Sequence, residues 1–420
     1  MTLQLRRTFL IVGFIIVVIV IGVLIYFLFF RGFITPTNNE NVNGVNGGLP
    51  LSNDAVNRIT INELLNRLPP VNGVNGGNTN RPVEPDRVAR GGATVAPIVV
   101  QDTTQGLAVD RDGSSLVYYD PITDKFYRIN RDGTKTELSG NAFPEVSEIV
   151  WAPDRSSAIL TFPDGSKILY NFDTNTQVTL PKEWDDVTFS PDGGQVAYKY
   201  MAEDADARWL AISNPDGSEV RGIEHIGDKG DDVEVAWSPN NQMVALFHES
   251  SGISSEEVLP IGFNGENFQS FSVNGRGFQG AWAPAGDRVV YSTYSSDSNF
   301  NPTLNIVDVY GQNIGSNHQT LGLQTWPDKC AFGGGGATLY CAVPSSLPEG
   351  SGIYRELANN VPDIFYKIDL LTGQQTRIAL PVNELGSGGY SAKNMFLSQD
   401  EQYLYFTDTL TGRVHKMQIK

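Results

Sequence analysis

The chain has 420 residues, and 43 glycines and 23 prolines beside only 18% charged residues point to a turn-rich, all-β protein rather than a helical one. A formal net charge of −17 excludes nucleic acid as a partner, because phosphate binding needs clustered Lys and Arg to release counterions. Two cysteines and four histidines (His225, His248, His318, His415) exclude a disulfide-rich scaffold and leave no Cys or His cluster of metal-ligand spacing, so no metal or other cofactor is expected.

From Phe9 to Phe30 the chain runs FLIVGFIIVVIVIGVLIYFLFF without a charge. As a helix rising about 1.5 Å per residue it is long enough for a bilayer core. A secretory signal has a shorter apolar region closed by small residues, whereas this run ends YFLFFRGF, so the segment is expected to be retained. Arg6 and Arg7 precede it and Arg31 follows, a bias that keeps residues 1–8 in the cytoplasm. The expected location is therefore the cell membrane, spanned once at 9–30, with everything beyond it extracytoplasmic.

Residues 31–92 are rich in Asn, Gly and Pro and carry VNGVNGG twice, at 42–48 and 71–77. Such a composition buries too little apolar surface to offset chain entropy and reads as a flexible linker. Within it Val56, Ile59, Ile61, Leu64, Leu65 and Leu68 fall at helical spacing before Pro69 and Pro70, predicting a short helix over 54–68.

Residues 93–420 are organised by one repeated unit: a large apolar residue, a Pro/Asp/Gly-rich turn, then an alternating apolar strand. The markers before the turn are Val109, Trp151, Phe189, Trp237, Trp282, Phe332 and Leu397. Seven residues after each stands an apolar residue (Leu116, Ala158, Val196, Val244, Val289, Leu339, Leu404), and nine after it another (Tyr118, Leu160, Tyr198, Leu246, Tyr291, Cys341, Phe406). Offsets that differ by two share one strand face, the face that stacks on the next unit. The predicted fold is a seven-bladed β-propeller of four-stranded blades. Only RVHKMQI (413–419) follows the last hairpin, so TVAPIVV (94–100) is expected to complete blade seven as its outer strand, where Pro97 is tolerable.

FSPDGGQVAY (189–198) and AWSPNNQMVAL (236–246) resemble the WD40-like repeats of TolB-type bacterial propellers over about 94–420. The resemblance implies the propeller fold; it leaves the partner open, because TolB-type proteins are soluble and carry an additional α/β domain. The same propeller type precedes the hydrolase domain of prolyl oligopeptidase-like peptidases, but no Gly-x-Ser-x-Gly elbow occurs here.

The Asp-Gly and Asn-Gly turns read as hairpin geometry rather than calcium loops, and the Trp and Phe markers as interblade packing. Paired acids such as Glu256 and Glu257 read as solvated loop charges. Connections between the second and third strands are long only in blades three to six, and insertions gathered on one rim mark a binding face. The candidate ligand-binding residues there are Tyr200, Glu203, Asp204, His248, Glu249, Tyr294, Asp297, Phe300, Tyr354 and Arg355. The expected function is a membrane-anchored module binding an envelope protein, peptide or glycan; the alternative is a hydrolase or lyase with an acidic site at the mouth of the propeller channel. Cys330 and Cys341 lie equidistant from the FGGGGA turn midpoint and face each other across a hairpin, so a disulfide is expected.

The apolar run generates the first prediction. The chain stays in the membrane fraction through carbonate washing, and external protease reaches residues 90–420 in cells with a permeabilised outer layer; recovery of a shortened soluble form disproves the anchor.

Overall fold

The computed structural model describes residues 84–420. The apolar run 9–30 and the predicted helix 54–68 lie outside the described residues, among which no helix is long and apolar enough to cross a membrane.

Two short strands come first, β1 (Ala93–Val95) and β2 (Ile98–Val100). Blade one is β3 (Gln105–Val109), β4 (Leu116–Asp120), β5 (Lys125–Ile129) and β6 (Lys135–Glu137). Blade two is β7 (Glu148–Trp151), β8 (Ser157–Thr161), β9 (Lys167–Asn171) and β10 (Thr176–Leu180). Blade three is β11 (Trp184–Phe189), β12 (Val196–Tyr200), β13 (Trp209–Ser213) and β14 (Arg221–His225). Blade four is β15 (Val233–Val235), β16 (Met243–Ser250), β17 (Ser255–Gly262) and β18 (Phe271–Asn274). Blade five is β19 (Arg276–Trp282), β20 (Arg288–Tyr294), β21 (Pro302–Asp308) and β22 (Ser316–Thr320). Blade six is β23 (Cys330–Phe332), β24 (Thr338–Pro344), β25 (Asp363–Asp369) and β26 (Gln375–Val382); blade seven is β27 (Ala392–Leu397), β28 (Tyr403–Asp408) and β29 (Val414–Gln418). Each blade is an antiparallel meander, and the chain is an all-β, seven-bladed propeller.

The repeat pattern explains the blades. In six of the seven hairpins the marker pairs across the ladder with the residue seven later, as in Val109 with Leu116 and Trp151 with Ala158. All fourteen residues at offsets seven and nine are buried, none more than 5% exposed. Between marker and strand the turn needs a left-handed residue four positions after the marker. Gly113, Gly193, Gly286 and Gly336 adopt that conformation freely, while Arg155 and Glu401 hold it at φ 58° and 50° against their own Cβ.

Ring closure departs from expectation in one respect. β2 pairs antiparallel with β29 and completes blade seven as its outermost strand. β1, however, pairs parallel with β26, which gives blade six a fifth strand. The segment 94–100 is therefore split between two blades. Pro97, lying between β1 and β2, has no N–H to continue a ladder, and the break lets the chain step from one sheet to the next. Residues assigned from sequence to the end of the linker also belong to the fold: Asp86 bridges to Thr94, Val88 bridges to Gln418, and the Gly91 N–H donates to the Ile378 carbonyl.

On blade six Cys330 pairs directly with Cys341, and their sulfurs are joined at 2.08 Å. The bond ties β23 to β24 across a turn that contains four glycines.

Because residues 93–100 complete two sheets, the full chain lacking these eight residues should melt well below the intact chain. Equal melting temperatures, measured by circular dichroism on detergent-solubilised protein, show that closure does not depend on the strap.

Candidate functional site

In this topology the connections from second to third strand, and from fourth strand to the next blade, open on one rim. All ten nominated residues lie on it, though not in one site. Tyr200, Glu203 and Asp204 belong to blade three, where the Asp204 carboxylate caps a short 3-10 turn. In blade four the expected loop is instead a lengthened hairpin, since β16 and β17 run on to Ser250 and back from Ser255; the alternation of residues 247–257 extends the ladder. His248 is half-buried on that hairpin, and Glu249 is exposed and paired with Lys229 at 2.7 Å.

The insertions of blades five and six, by contrast, are joined. The Gly350 N–H donates to the Asn299 carbonyl at 2.9 Å, and the Gly352 N–H to the Phe300 carbonyl at 2.8 Å. Asn299 and Phe300 hold φ angles of 54° and 55°, consecutive left-handed residues that turn the chain toward that contact. The Tyr294 side chain fills the space over Gly277 and Gly352, where an added Cβ would come within 2.3 Å of its ring and 2.6 Å of its Cβ, respectively. Arg355 pairs with Asp328 and lies over the Trp326 ring at 4.8 Å, while Tyr354 is left exposed.

Tyr294 and Asp297 line a cleft of about 610 Å³ between the outer strand of blade four and the sheet of blade five. Its floor is built by alternate residues on adjacent strands: Tyr291 and Thr293 on β20, Thr303 and Asn305 on β21, His318 and Thr320 on β22. Ser272 and Asn274 of β18 form the facing wall, and Ser295 and Ser298 the lip. The Tyr291 hydroxyl lies 3.1 Å from His318 Nδ1. Burial pushes the Tyr291 phenol up to about 12 and the cleft walls lower the His318 pKa, so at neutral pH both are uncharged. The cleft thus offers hydroxyls, amides and one carboxylate, with aromatic rings beside them. Tyr291 reads from sequence as a packing residue and His318 carries no motif; the polar alternation on β21 and β22 is the only sequence signal of this face.

The channel was the alternative place for chemistry. Three residues before the marker, on the innermost strands, stand Glu148, Asp186 and Glu234 of blades two, three and four. The Asp186 carboxylate accepts the Val235 N–H of blade four at 2.8 Å, and that of Glu234 accepts the Gly280 N–H of blade five at 3.1 Å. Lys199 stands 3.6 Å from Asp186 and donates to the Gly230 and Val233 carbonyls at 3.3 Å. Glu256, expected to be a solvated loop charge, is instead buried and accepts the Gly277 and Phe278 N–H groups at 3.0 Å each. The lengthened β17 places it against the next blade, where those N–H groups have no strand partner. Asp363 likewise accepts the Ala392 N–H of blade seven at 2.6 Å and pairs with buried Lys329 at 2.8 Å. These acids staple one blade to the next. Among the described residues no group of three or more His, Cys, Asp or Glu is placed to hold a metal ion.

No protein-family profile matches the chain, and no curated protein is recognisably similar to it in sequence. Solved structures do match in fold. The Cps50 (Swd1) β-propeller domain of Myceliophteria thermophila is 10% identical with a TM-score of 0.52, over 78% of this chain and all of that one. An oligogalacturonate lyase from Vibrio parahaemolyticus is 9% identical with a TM-score of 0.49, over 78% of this chain and 91% of its own. TolB from Acinetobacter baumannii is 16% identical with a TM-score of 0.41, over 64% of each chain. At these identities the likeness is one of fold.

The channel acids make stability depend on pH. Burial, with the Asp186 charge adding to it and the Gly280 N–H opposing, pushes the Glu234 carboxyl from 4.5 up to about 7. A carboxyl raised on folding takes up a proton, so its contribution is fully present below about 4.5 and is lost as pH rises through about 7. The loss amounts to on the order of 3 kcal/mol. Glu234→Gln keeps an acceptor for Gly280 without the titration, so urea unfolding at pH 5 and pH 8 should differ less for the variant than for wild type; parallel behaviour assigns the dependence elsewhere.

Proposed function

We propose that the protein is a membrane-anchored binding module of the cell envelope, with its propeller extracytoplasmic, and that it holds a glycan in the cleft between blades four and five. The carrying observation is the chemistry of the cleft walls. Tyr291 and His318 are uncharged at neutral pH and paired; Asn274, Asn305, Thr293 and Thr303 add amides and hydroxyls, and Asp297 is the single carboxylate. Such a surface satisfies sugar hydroxyls, which need donors and acceptors interleaved, while the Tyr294 ring offers an apolar face for a pyranose. It lacks the cations that an acidic or phosphorylated ligand needs. An apolar peptide would leave these polar groups unpaired at a cost.

The acidic hydrolase or lyase reading has less support. Asp186 and Glu234 already accept backbone N–H groups of the adjoining blades, so removing either breaks a seam.

The test is calorimetric titration of the detergent-solubilised full chain with neutral oligosaccharides. Asn305→Ala and Tyr294→Ala should each weaken binding roughly tenfold, the loss of one good polar or stacking contact; Asn305→Ala should do so with unchanged melting temperature, whereas Tyr294→Ala also empties the space over Gly277 and Gly352 and lowers it. Failure of every oligosaccharide to bind, or binding by both variants as tight as by wild type, refutes the assignment.

A further inference from the structure

We propose that the sector of the loop-rich rim formed by blades six, seven and one rests on the bilayer that holds the chain's own N-terminal segment. The inference builds on the membrane-anchored reading and adds to it an orientation and a contact surface.

The first observation is where the chain enters the propeller. Pro85 lies against Gly386 in the connection from β26 to β27, and the Asp86 carbonyl accepts the Val95 N–H. That connection is on the loop-rich rim, so the chain reaches the fold at this rim, between blades six and seven. The 53 residues 31–83 separate the apolar run from that point. A chain of that length spans at most about 185 Å, so the tether raises the local concentration of the rim at the membrane and weak contacts suffice.

The second observation is what surrounds the entry point. Leu385 stands beside Gly386 in the same connection and is 89% exposed; Leu410 of blade seven is 64% exposed and Ile122 of blade one 78%. On the other side, the blade-six insertion exposes Ile353, Tyr354 and Leu357. These side chains sit on four separate connections of neighbouring blades. A set of separate apolar tips fits a plane that yields to them, as the boundary between headgroups and acyl chains does.

The third observation is the other side of the ring. The connections 201–208 and 226–232 of blade three carry Glu203, Asp204, Asp206, Asp228, Asp231 and Asp232 against Arg208 and Lys229. These connections expose no large apolar side chain, so this sector offers the bilayer nothing to bury. In that orientation blade three faces away from the bilayer.

The experiment uses the full chain in protein-free liposomes. Cys330 and Cys341 are tied to each other, so a single added cysteine is the only free thiol to label. An environment-sensitive fluorophore is placed at Ile122→Cys, Leu385→Cys and Leu410→Cys, with Leu371→Cys on the opposite rim and Ile253→Cys on the blade-four hairpin as controls. The first three should be blue-shifted and quenched by headgroup-proximal spin-labelled lipid, and the two controls should be neither. If the chain survives carbonate extraction but all five sites respond alike, the rim contact is overturned while the anchor stands. If carbonate releases the chain, the anchor fails and the contact fails with it. Silent sites in liposomes that become protected in native membranes identify a protein cover instead, which also overturns the proposal.

Discussion

Everything in this structure depends on the seam between blades. Each sheet satisfies its own backbone internally, and apart from the N-terminal strands no ladder passes from one blade to another, so adjacent sheets must be held by their faces. Two devices do this. The residues at offsets seven and nine from each marker are buried to a few per cent, and fourteen such side chains around the ring supply apolar contact that needs no directional bond. Polar groups then fix the angle. The Trp151 and Trp282 indole N–H groups donate to the Gly106 and Ala236 carbonyls of the preceding blade, while Asp186, Glu234, Glu256 and Asp363 accept N–H groups of the following one. The innermost strand of blade five is bulged at Arg276/Gln279, and the bulge frees the Gly277 and Phe278 N–H groups that Glu256 takes up.

A ring of seven sheets has one joint that the meander cannot close. The chain closes it with residues from its N-terminal side, giving β1 to blade six and β2 to blade seven, so that the strap crosses the seam between them. This arrangement removes an exposed edge on two sheets at once. It also determines where the linker arrives: because β1 and β2 both run toward the loop-rich rim, the preceding residues fold back along β29 and return to that rim at Pro85. The proposed orientation on the membrane follows from this local geometry.

The cleft comes from the same architecture. Between blades four and five the outer strands carry Ser272, Asn274, His318 and Thr320 along the cleft. The lip is held by the linked insertions of blades five and six, so the candidate ligand site borrows its stiffness from the neighbouring blade. That is the physical basis for assigning binding to this sector rather than to the separate connections of blade three.

How much of this was legible beforehand divides along the range of the interactions. The fold was legible: a period of two inside each strand and a recurring turn are local constraints, and the markers with their offsets name the buried faces without reference to any other part of the chain. Opposition of Cys330 and Cys341 is likewise a property of one hairpin. The rim of the candidate site was legible from loop length, but of its ten residues only Tyr294 and Asp297 meet in the cleft; Tyr291, Asn305 and His318 sit on strands whose polar alternation resembles any solvated sheet face. Glu256 read as a loop charge because its partners, the Gly277 and Phe278 N–H groups, belong to the next blade. The split of 94–100 at Pro97 was hidden for a related reason, since a three-residue strand takes its pairing from whichever edge lies nearest. Sequence by itself determined what each blade is, because strand periodicity and turn chemistry act within a few residues; only the tertiary structure decided which polar groups face one another across a seam, because residues some twenty to fifty positions apart are brought together there by ring geometry, which no local pattern encodes.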